Sequence, residues 1–400
     1  MTEAVQVPTA ESALADAHHE FPATERWTYM DVAGRCVLSR GVRAAIEAHL
    51  DERMYDGGNK PRFFEMIEET RRRFAELIKA DAEEIAFTKN ISEGLNMIAT
   101  GIPWQPGDNM VLCPEAEHPN NIYCWLNLRR RGVEVRVVSS RGHAIPVDDM
   151  LAHIDGRTRA VAVSTVLFAP GFRTDIDTLG RACRERGVLF VVDAAQSVGV
   201  LDTDVQRSCV DALAASTQKG LLALYGMGFL YCRREWAERM QPAYLARFGV
   251  DLGDAHEAAV GDFSYKLRPA ALRFDLGNYN FLAAAAANES LRYLLALGTR
   301  HIERYVLRLS HALAQGLLDL GLPVCGGQPG PHLAHIVTAG EIGSGGHDST
   351  DNPRFGALYK HLLENRVKLS IRRGALRFSL HVYNTACDVE RVLDLVKQKW

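Results

Sequence analysis

From residue 109 to residue 193 the chain alternates short apolar runs with helix-like stretches: NMVLCP, a helical segment after Asn120, VEVRVV, AVAVSTV, a helix near Thr178 to Arg186, then VLFVVD. Strands separated by helices form a mostly parallel sheet with helices packed on it, so an α/β fold is expected. Two helical patterns, Arg43 to Arg53 and Arg62 to Ile78, precede the alternation. From about Phe281 a long helical stretch leads to strands at HIVTA and VKLSIR with a helix between them. This predicts an N-terminal segment over 1–40, a large domain over 41–282 and a smaller α+β domain over 283–400, with the N-terminal segment packed on the smaller domain. A chain of 400 residues, 47% of them hydrophobic, is long enough to bury a core of that size. LLALYGMGFLY, Leu221 to Tyr231, reads as one more buried strand.

The apolar run Val188 to Val192 ends at Asp193, so a carboxylate is expected at the carboxyl end of a parallel strand, where open α/β sheets bind ligands. Gln196 follows in FVVDAAQSVG, and Lys219 follows Ser216, Thr217 and Gln218. Singly, each has an ordinary reading: a lysine in a solvated loop, an Asp capping a helix. Together they offer an amine for a Schiff base, a carboxylate to keep a pyridine nitrogen protonated and an amide for a phenolic oxygen. This order and spacing resembles the fold-type I pyridoxal phosphate (PLP) enzymes, and within them the class V aminotransferases, which include cysteine desulfurases and isopenicillin N epimerase. The resemblance implies PLP as cofactor, with Lys219 as the Schiff-base lysine and α-carbon base.

Other segments carry the same likeness. FTKNISEGLN resembles the family's phosphate turn, with Asn90, Ile91 and Ser92 at a helix start whose free amides hold an anion. EAEHPNNIYCW resembles the stretch whose histidine stacks on the pyridine ring, which implies that role for His118 and a substrate contact for Asn121. Thr165, in AVSTVLFAPGFRTD, falls where desulfurases often carry an asparagine near the phenolic oxygen. Ser216 and Gln218 match phosphate contacts. RFDLGNYNF resembles the segment that crosses the dimer, with Asn278 donating to the partner's phosphate, which implies a homodimer with shared sites. GALRFSLHVYNT resembles the segment whose arginine grips the substrate carboxylate, here Arg377; Arg372 and Arg373 lie close by.

One family feature is missing. Desulfurases carry a nucleophilic cysteine on a loop before that arginine, but LENRVKLSIRRGALRF has none, and no cysteine lies between Cys325 and Cys387. The loop reads as shortened, which disfavours persulfide formation by that route; Cys325 would have to reach the site by another path. The expected function is class V aminotransferase-like chemistry on an amino acid. A desulfurase-like β-lyase or an epimerase is the alternative, since transamination, elimination and racemisation share the same core.

Composition sets outer bounds. A formal net charge of −3, from 46 basic and 49 acidic side chains, gives no reason to expect nucleic acid or an anionic membrane as partner. Eight cysteines without a CxxC pair argue against a zinc site, and His332 and His335 of HLAH read as structural, so no metal is expected. The polar, acidic start lacks a signal-peptide pattern, and no apolar run approaches the roughly 20 residues of a membrane span, so a cytoplasmic protein is expected. A nicotinamide oxidoreductase would show GxGxxG after its first strand, whereas GMGF at Gly226 is late and lacks the third glycine. A non-catalytic PLP-binding module would have lost Lys219 or Arg377, and both are present.

Overall fold

Strand residues buried on both faces set the architecture. In a computed structural model describing residues 14–253, 264–343 and 346–400, LFVVD at 189–193 is buried at every position. Leu189 and Val191 join one hydrophobic cluster, Phe190 and Val192 another. Only a central strand with apolar layers on both faces buries every residue this way. The sheet has seven strands: β1 (Ile85–Thr88), β2 (Asn109–Leu112), β3 (Glu134–Val137), β4 (Thr158–Ser164), β5 (Leu189–Asp193), β6 (Ala212–Ser216) and β7 (Gly228–Cys232). Their spatial order is β1-β7-β6-β5-β4-β2-β3. Within this sheet β7 runs antiparallel to both neighbours, and the other pairs are parallel. The parallel strands therefore point their carboxyl ends the same way, and the register sets Ser164 beside Asp193 and Asp193 beside Ala214.

Helices α1 (Arg40–Tyr55), α2 (Lys60–Ile78), α3 (Ile91–Gly101), α4 (Ile176–Glu185), α5 (Phe281–Leu297) and α6 (Thr299–Asp319) accompany the sheet. Local chemistry marks their starts. Asn90 caps α3 by accepting from the Glu93 amide at 3.0 Å, and Asp175 caps α4 by accepting from Thr178 at 3.0 Å. The buried alanines 283–287 give α5 a small-residue face where it packs on α1 and α2.

A second, antiparallel sheet of order β8-β10-β9 follows, made of β8 (Ile336–Ala339), β9 (Ser370–Arg372) and β10 (Ala375–Ser379). Thr28–Tyr29 pairs in parallel with Val367–Lys368, and Asn384 donates to the Tyr29 carbonyl at 2.9 Å, so the chain before α1 lies along this C-terminal region. β9 and β10 are joined by two residues, Arg373 at φ 53° and Gly374 at φ 84°. Two successive positive φ values make a tight hairpin turn of the primed type, which glycine at the second position favours.

The strand expected over 221–231 is shorter than the sequence suggested. Regular pairing spans only Gly228–Cys232, while 221–227 form a looped approach. The cause is Thr217, whose hydroxyl bonds the carbonyls of Leu224 and Met227 and folds the apolar run back on itself.

Candidate active site

The loop carrying Lys219 is pinned by backbone contact. A Cβ at Gly199 would stand 2.1 Å from the Gly220 carbonyl oxygen, and one at Gly220 would stand 2.4 Å from that of Val198. Two glycines thus let the turn after Asp193 and the turn after Lys219 touch. His381 closes the other side with Nε2 2.9 Å from the Gly220 carbonyl; its Nδ1 accepts from the Val382 amide at 2.7 Å, so Nε2 carries the proton.

Lys219 opens into a cleft at the carboxyl ends of β4 and β5, lined by Ile91, His118, Ser164, Phe168, Asp193 and Gln196 among others. Burial is the main influence on its amine and lowers its pKa to about 8; Asp193 opposes this, and Arg377 and Arg372 add to it. One Asp193 oxygen accepts from the Ala195 amide at 2.9 Å. Burial raises the Asp193 pKa against that bond and the nearby Lys219. Gln196 donates from Nε2 to the Ala33 carbonyl at 3.1 Å, while its Oε1 is buried without a partner. An unsatisfied buried carbonyl oxygen is costly, so the amide suits a polar ligand.

His118 stands edge-on to Phe168, with ring centroids 5.1 Å apart at 86°, and its Nδ1 accepts from the Asn120 amide at 3.2 Å. Burial first, then Lys219, lowers its pKa to about 4, so the ring is neutral near pH 7. The α3 start contributes Ile91 to the cleft, with Ser92 behind it and Asn90 occupied as the cap. The first amides of a helix have no partner within it. Ser216 is buried at the end of β6, and Gln218 is partly buried, its carbonyl accepting from Cys36 at 2.8 Å.

Arg377 is 2% exposed. Its Nε donates to Ser370 Oγ at 3.1 Å and Nη1 to the Phe168 carbonyl at 2.9 Å, while Nη2 lies 3.5 Å from Asp31 Oδ1. Neither Arg377 Nη2 nor Asp31 Oδ1 has a hydrogen-bond partner. Burial, reinforced by Arg372, lowers the guanidinium to about 10.

Of the expected residues, Ile91, His118, Asp193, Gln196 and Lys219 line this cleft, while Thr165, Asn121 and Asn278 are turned elsewhere. Thr165 follows Val161 and Val163 on the opposite face of β4, where its hydroxyl bonds Ser197 at 2.6 Å; parity gives the cleft Ser164 instead. Asn121 is wholly buried, donating to Glu117 at 3.0 Å and accepting from Trp125 Nε1 at 3.0 Å, so the substrate contact expected of it is not available, and its neighbour Asn120 lines the cleft. Asn278, at φ 45°, is exposed in a separate hollow with Thr88, Lys89 and Gly226.

Glu117 was not singled out from the sequence. It is buried, accepts from the amide and hydroxyl of Ser164 as well as from Asn121, and its pKa is raised to about 7. Burial is the main cause and the nearby Asp193 charge adds to it, against the Ser164 bonds. Its acidic neighbour Glu115 looks the same in sequence but is exposed.

Comparison with known proteins points one way. The profile of the family described as "Aminotransferase class-V" matches residues 56–392. An uncharacterized aminotransferase of Schizosaccharomyces pombe is 28% identical, with 94% of this chain and 92% of that protein covered. A probable cysteine desulfurase of Methanothermobacter thermautotrophicus is 29% identical, with 94% and 95% covered. The solved apo structure of a cysteine desulfurase from Thermococcus onnurineus superposes with a TM-score of 0.82 at 26% identity, covering 99% of each chain.

Proposed function

The chain belongs to the class V aminotransferase family, and from that premise we propose that it is a PLP enzyme acting at the α-carbon of an amino acid, with Lys219 as the cofactor lysine. The observation that carries this reading is the convergence of Lys219, Asp193, Gln196 and His118 on one cleft at the carboxyl ends of β4 and β5. The residues fit the cofactor. Gln196 holds a partnerless buried oxygen, Asp193 has a second oxygen beyond the one bonded to Ala195, and the start of α3 offers unpaired amides for a phosphate.

When bound, PLP supplies an aldehyde for amine exchange and a ring that takes up carbanion electrons. Lys219, lowered to about 8, is close enough to neutral to act as nucleophile and then as base for the α-proton. Asp193 would hold the pyridine nitrogen protonated, and neutral His118 would lie beside the ring. Asn90, Ile91 and Ser92 at the α3 start, with Ser216 and Gln218 at the end of β6, would hold the phosphate. Arg377 would turn Nη2, which faces Asp31 at 3.5 Å, to the substrate carboxylate. Asn278, exposed and outside its own cleft, is suited to a partner subunit's phosphate, and the exposed Leu50, Met54 and Tyr55 of α1 suit a subunit contact. We read the protein as a cytoplasmic homodimer with a large domain over 41–282 and a smaller one over 283–400; among the described residues no helix is long and apolar enough to cross a membrane.

Aminotransferase-like chemistry is the leading reaction, with β-elimination or epimerisation as alternatives. The two-residue turn at Arg373 and Gly374 leaves no loop there to carry a nucleophilic thiol. Cys325 is not among the residues lining the cleft; its thiol donates to the Gly340 carbonyl at 3.2 Å, and burial pushes it up to about 11. Incubation with a panel of amino acids in deuterated water, followed by mass spectrometry and chiral analysis, separates the outcomes. A keto acid with pyridoxamine phosphate supports transamination. Pyruvate with the cofactor unchanged means elimination, and an inverted, deuterated amino acid means racemisation. Absence of keto acid, pyruvate and α-deuterium with every amino acid would overturn the reading.

A further inference from the structure

Two guanidinium groups share one face of the C-terminal sheet. Ser370 of β9 lies directly opposite Arg377 of β10 and accepts its Nε, and Arg372 stands two residues further along β9. Residues i and i+2 of a strand project to the same face, so Arg372 and Arg377 are diagonal neighbours, with Cβ atoms roughly 7–8 Å apart. Arg377 reaches the cleft through the carbonyl of Phe168, which lines it, and Arg372 stands beside Arg377 on the same face. Each guanidinium faces a carboxylate, Asp31 at 3.5 Å from Arg377 and Asp348 at 2.6 Å from Arg372, so this face favours anions.

Each arginine also has donors to spare. Arg377 Nη2 is buried and makes no hydrogen bond beyond a long ion pair with Asp31 at 3.5 Å. Arg372 spends a single nitrogen, Nη1, on the carbonyls of His347 at 2.9 Å and Ile371 at 2.7 Å and on Asp348 Oδ1 at 2.6 Å. Among the described residues its Nε and Nη2 have no partner. The Asp348 side chain is 78% exposed while that of Arg372 is 13% exposed, so the pair holds an exchangeable carboxylate on a nearly buried cation. A carboxylate this exposed is readily displaced by another anion. Asp348 therefore stands where a ligand carboxylate could take its place.

We propose that Arg372 is a specificity residue that holds the side-chain carboxylate of the substrate while Arg377 holds its α-carboxylate, so that the enzyme acts on a dicarboxylic amino acid or the matching 2-oxo diacid. This rests on the reading of the Lys219 cleft as a PLP amino-acid site. A four- or five-carbon diacid offers two carboxylates to two neighbouring guanidinium forks.

The test compares isosteres on the holoenzyme. With glutamate against glutamine and aspartate against asparagine, the acid is expected to have the higher kcat/KM by about 10- to 100-fold, the range of one charge-assisted pair. Arg372→Gln should collapse that ratio toward one, and Arg372→Lys should restore part of it. Calorimetric titration gives a readout independent of turnover: succinate should bind at least about 10-fold tighter than butyrate, and Arg372→Gln should erase the difference. Asp348→Asn, which removes the competing carboxylate, should tighten succinate binding. Equal efficiency for acid and amide in the native enzyme, or equal losses for both in Arg372→Gln, overturns the proposal while leaving the amino-acid site intact. A protein that binds no PLP at Lys219 overturns both.

Discussion

The carboxyl edge of the central sheet carries two cavities, one on each face, and they differ in what their polar groups lack. On the side of Ser164 and Asp193 lies the cleft of Lys219; on the side of Thr165, Val192 and Ser197 lies a larger cavity of about 500 Å³. The larger one is rich in charge, with Asp175, Asp177, Asp202, Asp204, Arg173 and Arg207 in its wall. Its ionic groups have partners within the fold: Arg173 meets Glu303 at 2.9 Å, Asp202 meets Lys79 at 2.9 Å, and Asp177 accepts from Ser208. None of its described lining side chains is a buried polar group without a partner. Around the smaller cleft Gln196 and Arg377 hold unpaired buried atoms, and Lys219, His118 and Glu117 are all displaced from their ordinary protonation. What sets the Lys219 cleft apart from the larger cavity is unspent buried hydrogen-bonding capacity rather than volume.

The sharpest way to break this contrast is Lys219→Ala. Loss of the nucleophile and base should lower turnover at least about 10³-fold, whereas Asp204→Asn or Arg207→Ala, on the other face, should change kcat/KM by less than about 2-fold. Steady-state kinetics on the three variants decides it, and comparable losses on both faces would erase the distinction.

Asp193→Asn comes next. The cofactor should still bind, but α-proton exchange followed by NMR should slow about 10²- to 10³-fold, because an amide cannot hold the pyridine nitrogen protonated. Unchanged exchange would remove Asp193 from the reaction.

Arg377→Lys keeps a charge and loses the planar fork. Amino-acid affinity, read from spectral titration, should weaken by on the order of 2 kcal/mol. If affinity is unmoved, a different arginine holds the α-carboxylate.

The smallest effect concerns Glu117, which is raised to about 7. A carboxyl group whose folded pKa exceeds its unfolded value binds more protons when folded, so its contribution is present at low pH and is lost as pH rises from about 4.5 through 7. Urea denaturation at pH 5 and pH 8 should show stability falling across that window in the native protein, by on the order of 1–2 kcal/mol, with a flatter profile in Glu117→Gln. Equal slopes in the two proteins would mean that Glu117 is ionised throughout.

What the sequence made legible was what strand ends and chain order determine. Asp193 closes an unbroken apolar strand, Lys219 follows the end of the next one, and both lie where parallel strands finish. The sequence was least legible where one residue of offset decides the placement. Thr165 and Ser164 are both small hydroxyl residues, and only the alternation of Ala160 and Ala162 against Val161 and Val163 reveals which one shares the Asp193 face. Asn120 and Asn121 pose the same problem on a short helical turn, where the burial of Trp125 draws Asn121 inward. Glu117 had no local signal, because its burial depends on Ser164 some 47 residues away. The turn inside 221–227 was hidden for a related reason, since the hydroxyl of Thr217 and not the apolar run itself sets the path.

Everything in this account passes through one amine. Borohydride reduction of the protein with PLP, followed by digestion and mass spectrometry, locates the lysine that carries the cofactor. A single phosphopyridoxyl label is expected on the peptide containing Lys219, absent in Lys219→Ala. A label on another lysine, or no label on a protein that still turns over amino acids, would contradict it.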